Sequence, residues 1–168
     1  MNFNSHHDQR KMQDGDIIQL AHVVADIDAT MKHYDEIFGY GPWEVYEFRS
    51  PLLRDSMYRG KPAKHEYLVA VTWVNGVQLE LMQPLSGYSI YNEYLEQNKG
   101  GFHHAKIFCK DCQKAAEDLQ RKGYEVIQSG KIGQDEFYYL DTEKDFGVVW
   151  ELGNVGTMPP NPSRVYPP

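Results

Sequence analysis

Hydrophobic and polar residues alternate along several short segments of the chain, with the period of two that is typical of β-strands. The pattern is clearest at residues 77–82, where a valine and two leucines share one face and a glutamine and a glutamate share the other. The pair Asn75-Gly76 precedes this segment and predicts a tight hairpin turn. Alternation of this kind predicts a sheet with one face packed against helices.

The chain is predicted to contain eight strands and three helices. The strands are expected over residues 16–24, 43–48, 65–74, 77–82, 103–109, 124–128, 136–142 and 148–152, and the helices over 27–38, 89–98 and 112–122. Asp26 is placed to cap the first helix, which should end before Gly39. Residues 50–64 contain two prolines and a glycine and are predicted to be irregular.

The second half of the chain repeats the first. Residues 76–81 reappear as 147–152, each copy ending in Glu-Leu, and the upstream strand and helix at 19–40 match those at 104–124. Internal repetition indicates architecture, because each copy should adopt the same order of elements. We therefore predict an α+β fold in which tandem βαβββ modules form a curved, eight-stranded, partly open barrel-like sheet.

Both modules are expected to share one domain, since 168 residues suit a single compact core. The domain should span residues 16–153, with one module over 16–84 and a second over 101–153. A polar N-terminal extension, residues 1–15, precedes it. The C-terminal tail, residues 154–168, is rich in proline, which cannot donate a ladder hydrogen bond, so we expect the tail to run extended over the surface.

The repeat also places one polar, metal-competent residue at an equivalent point in each of four strands: Gln19, Glu80, His104 and Glu151. Alternation turns both glutamates away from the helix-packed face and toward the concave side of the sheet. A buried carboxylate is costly unless it is paired, neutralised or bound to a metal. Nitrogen and oxygen donors without thiolates suit a divalent ion such as Zn, Ni, Co, Mn or Fe. The alternative is that both glutamates are solvated and Gln19 alone is a buried hydrogen-bonding residue.

Two other histidines compete for the role of ligand. His22 lies three residues from Gln19 and so on the opposite face of its strand, which predicts a packed or surface side chain. In the pair His103-His104, the register of the repeat favours His104.

The net charge of −7, from 17 basic and 24 acidic residues, argues against non-specific nucleic-acid binding. No apolar run approaches the length of about 18 residues that a membrane span needs, and the polar start contains no hydrophobic signal core, so we expect a cytoplasmic protein. Residues 49–64 carry five basic side chains and one acid, and this segment could bind an anionic substrate or be a solvated loop.

Several segments together resemble the vicinal oxygen chelate (glyoxalase/bleomycin resistance/dioxygenase) superfamily, nearest to the methylmalonyl-CoA epimerase and glyoxalase I-like branch. They are residues 19–39, the Glu-Leu-Met-Gln-Pro run at 80–84, the Gly-Gly-Phe-His-His run at 100–104, residues 131–133 and residues 148–152. Epimerases usually have histidine where this chain has Gln19, whereas glyoxalase I uses Gln, Glu, His and Glu in the order found here.

The resemblance implies paired βαβββ modules, a frequent homodimer, and a divalent metal held by Gln19, Glu80, His104 and Glu151. We expect an isomerase or lyase that removes a proton α to the carbonyl of a small-molecule substrate. Glu151 is the candidate base, with Glu80 a ligand first and a partner base second. Alternatives are an acyl-CoA racemase, an Fe(II) dioxygenase and a non-catalytic, resistance-type binding protein. Candidate cup-lining aromatic residues are Trp43, Tyr46, Tyr67, Trp73, Phe137 and Tyr139.

Overall fold

A computed structural model describes residues 12–154, 158 and 161–167 of the chain. Most of the predicted N-terminal extension, residues 1–11, lies outside the described residues. The described strands are β1 (Ile17–Val23), β2 (Trp43–Phe48), β3 (Leu53–Tyr58), β4 (Lys61–Pro62), β5 (Glu66–Val74), β6 (Val77–Ser86), β7 (Gly101–Phe108), β8 (Val126–Ile132), β9 (Asp135–Leu140), β10 (Val149–Gly153) and β11 (Arg164–Tyr166). The described helices are α1 (Ile27–Phe38), α2 (Ile90–Asn98), α3 (Cys112–Gln120) and α4 (Glu143–Phe146).

All described strands form one open sheet in the order β11-β2-β5-β6-β1-β7-β10-β9-β8-β3-β4. The first module supplies β2-β5-β6-β1 and the second supplies β7-β10-β9-β8, so the two halves have the same internal order. In each half the first strand pairs in parallel with the last, β1 with β6 and β7 with β10. The antiparallel contact between β1 and β7 joins the halves at the centre of the sheet. The predicted α+β class and open, repeated sheet are confirmed.

The sheet has eleven described strands rather than eight, because two segments outside the repeat also pair. The prediction that residues 50–64 are irregular is wrong. They form β3 and β4, and β3 pairs antiparallel with β8, placing Leu53 opposite Ile132. The sequence of β3 does not alternate, so its strand conformation depends on pairing with a distant edge. The tail contributes β11, which pairs with β2 at the other edge, where a proline-flanked strand is tolerated.

Two helices cover the convex face of the sheet. Asp26 caps α1 by accepting a hydrogen bond from the backbone N–H of Ala29 at 2.9 Å, and Gly39 ends the helix with a φ of 67°. The apolar residues of α1 pack against the leucines of β6, and those of α3 pack against β9 and β10. The polar residues that alternate with these leucines therefore face the concave side.

The concave side is closed at one end by α2. Ile90 and Tyr91 of this helix pack among aromatic side chains from β5 and β9, including Tyr67 and Tyr139. No described helix is long and apolar enough to cross a membrane. The remaining concave surface lies open between the two modules and forms the candidate site.

Candidate functional site in the concave cavity

A cavity of about 320 Å³ opens on the concave side of the sheet, where both modules contribute side chains. Its polar lining comes from the central strands and the adjoining edges: Gln19, Glu44, Gln78, Glu80, Lys106, Asp135 and Glu151. Its apolar lining is Met12, Ile18, Phe48, Tyr67, Val71, Trp73, Met82, Ile132, Phe137, Tyr139 and Met158. An apolar cavity with a few convergent polar groups is the usual form of a small-molecule site.

The first module brings Gln19 and Glu80 to this cavity. Gln19 pairs in register with Gln78, and Glu80 pairs with Ala21. The side-chain Nε2 of Gln19 donates to Oε1 of Gln78. This bond uses the amide nitrogen of Gln19 and leaves its carbonyl oxygen, which is the atom of an amide that binds cations.

The second module brings His104 and Glu151 to the same place. The His104 side chain is fully buried, and its Nε2 lies 3.4 Å from Oε2 of Glu80 and 3.1 Å from Oε2 of Glu151. Its Nδ1 lies 2.9 Å from Nδ1 of His103. Burial alone would lower the pKa of His104, but the two carboxylates outweigh burial and raise it. The structure therefore brings three of the four residues into direct contact and places Gln19 on the wall of the same cavity.

Two buried atoms at this meeting point lack hydrogen-bond partners. Although His104 Nε2 and Glu151 Oε2 are close, the contact lacks hydrogen-bond alignment, and both atoms remain unsatisfied. Donors bound at 2.0–2.2 Å to a tetrahedral ion lie about 3.3–3.6 Å apart, which is near the spacings observed here. Among the described residues, no three His, Cys, Asp or Glu side chains are arranged to hold an ion as they stand. The two unsatisfied atoms, one imidazole nitrogen and one carboxylate oxygen, are of the kinds that bind a metal. The set of four ligands stays a prediction.

Lys106 is the main site residue whose role the sequence left open. It pairs in register with Glu151 across β7 and β10. Its Nζ lies 3.1 Å from Oε1 of Glu151 and 3.2 Å from Oδ2 of Asp135. Burial would lower the pKa of Lys106, but these carboxylates raise it, so the ammonium stays charged. Burial would likewise raise the pKa of Glu151, but Lys106 and His104 together lower it and keep the carboxylate ionised.

Asp135 was not among the predicted site residues. It lies at the start of β9, where the predicted strand began one residue later, so no strand alternation marked its direction. Burial raises the pKa of Asp135 to about 6, although Lys106 opposes that shift. Its Oδ1 is buried and unsatisfied.

Tyrosines form the inner wall of the cavity. The hydroxyl of Tyr91 donates to that of Tyr139 at 2.9 Å, and burial raises the pKa of Tyr67, Tyr91 and Tyr139 well above the usual value. These hydroxyls therefore remain neutral. Of the predicted aromatic lining residues, Trp43 and Tyr46 do not line the cavity: Trp43 packs in the convex core and Tyr46 in the concave core.

The five basic residues at positions 49–64 lie outside the cavity lining. Arg59 makes a two-point ion pair with Glu93 on α2, and Arg54 donates to the carbonyl of Gly133. His22 faces the convex side, as predicted, with its ring 5.9 Å from that of Tyr34.

Comparison with known proteins agrees with this architecture. The family model described as the Glyoxalase/Bleomycin resistance protein/Dioxygenase superfamily matches residues 18–140. No curated protein sequence matches the chain.

Solved structures with the same fold include a hypothetical protein from Bacillus halodurans C-125, with a TM-score of 0.66 at 15% identity, covering 89% of this chain and 100% of that one. Methylmalonyl-CoA epimerase from Mycobacterium tuberculosis has a TM-score of 0.59 at 18% identity, covering 85% and 89%. A Streptomyces coelicolor methylmalonyl-CoA epimerase in complex with 2-nitronate-propionyl-CoA has a TM-score of 0.59 at 19% identity, covering 88% and 100%. At these identities the similarity establishes the fold.

Proposed function

Because the chain belongs to the glyoxalase/bleomycin resistance protein/dioxygenase superfamily, we propose that it is a divalent-metal-dependent isomerase or lyase that removes a proton α to a carbonyl group. One observation carries the proposal. Glu151 presents a buried carboxylate oxygen without a hydrogen-bond partner at the cavity wall, while Lys106 holds its other oxygen. A charged, oriented carboxylate in an apolar cavity is what proton abstraction from carbon requires.

The metal would be held by Gln19, Glu80, His104 and Glu151, through one imidazole nitrogen and three oxygens. This donor set contains no sulfur, so it suits Zn, Ni, Co, Mn or Fe in the divalent state. A divalent ion at this position supplies Lewis acidity, which stabilises the negative charge that develops on a substrate oxygen.

Glu151 is the proposed base. Its Oε1 is held 3.1 Å from Lys106 Nζ, which fixes the carboxylate and keeps it ionised. Its Oε2 lies 3.1 Å from His104 Nε2 without hydrogen-bond alignment, and it can accept the proton from substrate carbon when it is not bound to the metal. Lys106 acts through Glu151 and is therefore a positioning residue.

Glu80 is the proposed second carboxylate. Its Oε2 lies 3.4 Å from His104 Nε2, the same imidazole nitrogen that Glu151 contacts, and the side chain lines the cavity. To return a proton to the substrate after Glu151 has removed one, Glu80 must start the cycle as the protonated acid and end it as the carboxylate, while Glu151 ends it protonated. The neutral hydroxyls of Tyr67 and Tyr139 can donate hydrogen bonds to the substrate but cannot remove its proton.

Acyl-CoA racemisation is a second candidate. Racemisation needs an acid and a base on opposite faces of one carbon, and the presence of both Glu80 and Glu151 in the cavity favours it. Fe(II) oxygenation is less well supported, because that chemistry prefers two histidines and one carboxylate. His103 packs against the tyrosines of α2 and His22 faces the convex side, which leaves one imidazole beside the two carboxylates.

Proton abstraction can be tested by incubating the protein in D₂O with a panel of α-hydroxyketones and acyl-CoA thioesters. Proton NMR would report loss of the α-proton signal. The Glu151→Gln variant should exchange at least about 100-fold more slowly than the wild type, because a positioned base contributes roughly that factor or more. Racemisation would be distinguished by formation of both enantiomers from a chiral thioester.

Glu136→Gln is the matched control. Glu136 is on β9, pairs with Lys131 at 3.1 Å and does not line the cavity, so its loss should leave exchange unchanged. Circular dichroism should show both variants folded. Exchange by Glu151→Gln at the wild-type rate would rule out Glu151 as the base.

A further inference from the structure

The cavity lining carries a strong excess of negative charge. Its described residues include four carboxylates, Glu44, Glu80, Asp135 and Glu151, and one ammonium group, that of Lys106. These groups give a net charge of −3, and a bound divalent cation would bring it to −1. The buried, unsatisfied Oδ1 of Asp135 adds local negative potential, whereas that of Glu151 Oε2 is partly offset by His104 Nε2 at 3.1 Å.

Two of the three N–H donors of Lys106 are already engaged by the protein, so it can offer only one to a substrate anion. Its Nζ is already shared between Glu151 and Asp135, at 3.1 and 3.2 Å, and its side chain is only 9% exposed. The side chain also crosses directly over Gly153. A Cβ atom at Gly153 would lie 2.2 Å from Lys106 Cε and 2.8 Å from Nζ, so the absence of a side chain there makes room for the lysine. The ammonium is therefore built into the wall.

No other cation of the described chain lines the cavity. Arg49 pairs with Glu47, and Arg59 pairs with Glu93. Away from a bound metal, a carboxylate or phosphate on the substrate would enter a low-dielectric space among like charges, where only the third N–H of Lys106 is left to pair with it, and this is unfavourable.

We propose that the part of the substrate that enters this cavity is an uncharged carbonyl compound. That the substrate has a carbonyl group rests on the proposed function. That it is uncharged rests on the charges that line the cavity. Specificity then comes from the exclusion of anions. A cavity can reject a competing ligand by leaving that ligand's charge unpaired, and this is as effective as binding the preferred ligand more tightly. For an acyl-CoA thioester, the acyl group would carry no carboxylate.

Pyruvamide and pyruvate provide a matched pair of probes. They have nearly the same shape, both have a ketone with exchangeable methyl protons, and they differ by one negative charge. Dissociation constants would be measured by NMR titration of isotopically labelled, chelator-treated protein at low ionic strength. Pyruvamide should bind on the order of tenfold or more tightly than pyruvate, because like charges within a cavity of this size repel by more than 1 kcal/mol. Equal binding, or tighter binding of pyruvate, would overturn the proposal.

Two variants test the cause of the selectivity. Glu44→Gln removes one lining carboxylate at the exposed mouth of the cavity and should narrow the difference between the probes. Glu136→Gln removes the same charge outside the lining and should leave the difference unchanged. If both variants alter selectivity equally, the overall charge of the protein governs binding and the assignment to the cavity is wrong.

The outcome for this inference is separable from that for proton abstraction. Selective binding of pyruvamide without deuterium exchange in any carbonyl compound would support the charge inference and refute the proposed function. Exchange into pyruvate but not pyruvamide would refute the charge inference and support proton abstraction.

Discussion

The two halves of the site have the same backbone and different chemistry. In the first half, Glu80 pairs in register with Ala21; in the second, Glu151 pairs with Lys106. The repeated modules thus deliver two carboxylates to equivalent positions, and only the second receives a positive partner from its neighbouring strand. The fold therefore positions both carboxylates, while one side chain on the adjacent strand gives a charged partner to Glu151 alone.

A second pair of positions differs in how the other donors are held. Gln19 faces Gln78 in the first half and is oriented by its amide, whereas His104 faces Val149 in the second half. The imidazole is positioned through its Nδ1, which lies 2.9 Å from that of His103. The first half therefore orients its donor from the neighbouring strand, and the second half from the adjacent residue.

Replacement of Lys106, the charged partner that only the second half supplies, is expected to have the largest effect on stability. Lys106→Met leaves Glu151 and Asp135 buried without the ammonium that they share, so the free energy of unfolding should fall by about 3–5 kcal/mol. Urea unfolding followed by circular dichroism would measure the loss. Adding Asp135→Asn should restore part of it, because one of the two uncompensated charges is then removed.

Lys110→Met is the matched control for that substitution. Lys110 is 65% exposed, and its Nζ lies 3.9 Å from Asp14, so its replacement should change stability by less than about 1 kcal/mol. Equal losses for the two variants would mean that Lys106 is not needed to compensate the buried carboxylates.

Much of this arrangement could be predicted from the sequence, because alternation and repetition are local. The pattern at 77–82 is sufficient to place Glu80 opposite the leucines that pack on α1, and the repeat extends that placement to Glu151. The environment of Lys106 is not local. It depends on Asp135 at a strand end and on Gly153 one strand away, and nothing in the sequence of β7 indicates either neighbour.

The pairing of β3 with β8 was beyond prediction for the same reason. Residues 53–58 lack alternation, and their partners are 70 or more positions away in the chain. The segment is extended because it pairs with the edge of the second module, which would otherwise be uncovered in the folded sheet.

The two halves also differ in the pH dependence of stability, because among the described carboxyl groups a raised pKa is found only for Asp135, in the second half. Burial raises the pKa of Asp135 from 3.8 to about 6, so the folded protein binds this proton more tightly than the unfolded chain. The contribution of Asp135 to stability is therefore most favourable at low pH and declines as pH rises from about 4 to about 6. Relative to wild type, Asp135→Asn should gain about 1–3 kcal/mol over this range, at roughly 1.4 kcal/mol per pKa unit.

The relevant measurement is how the difference between the two unfolding free energies changes with pH, since effects of the substitution that do not depend on the ionisation of Asp135 shift the variant by a constant amount. Glu136→Asp provides a control that retains an acid on the same strand and leaves Asp135 unchanged. A pH-independent difference for Asp135→Asn would show that this side chain titrates alike in the folded and unfolded states.

The smallest effect is expected at His22, the histidine of β1. Its ring lies on the convex face between those of Tyr34 and Phe102, at 5.9 and 5.6 Å, and burial lowers its pKa. His22→Gln should therefore change stability by no more than about 1 kcal/mol and leave the zinc affinity, measured by competition with a chromophoric chelator, unchanged. His104→Gln should weaken zinc binding by at least about tenfold, since it replaces the imidazole donor. Loss of zinc binding in His22→Gln would mean that the ion lies on the convex face, because strand alternation separates the two histidines.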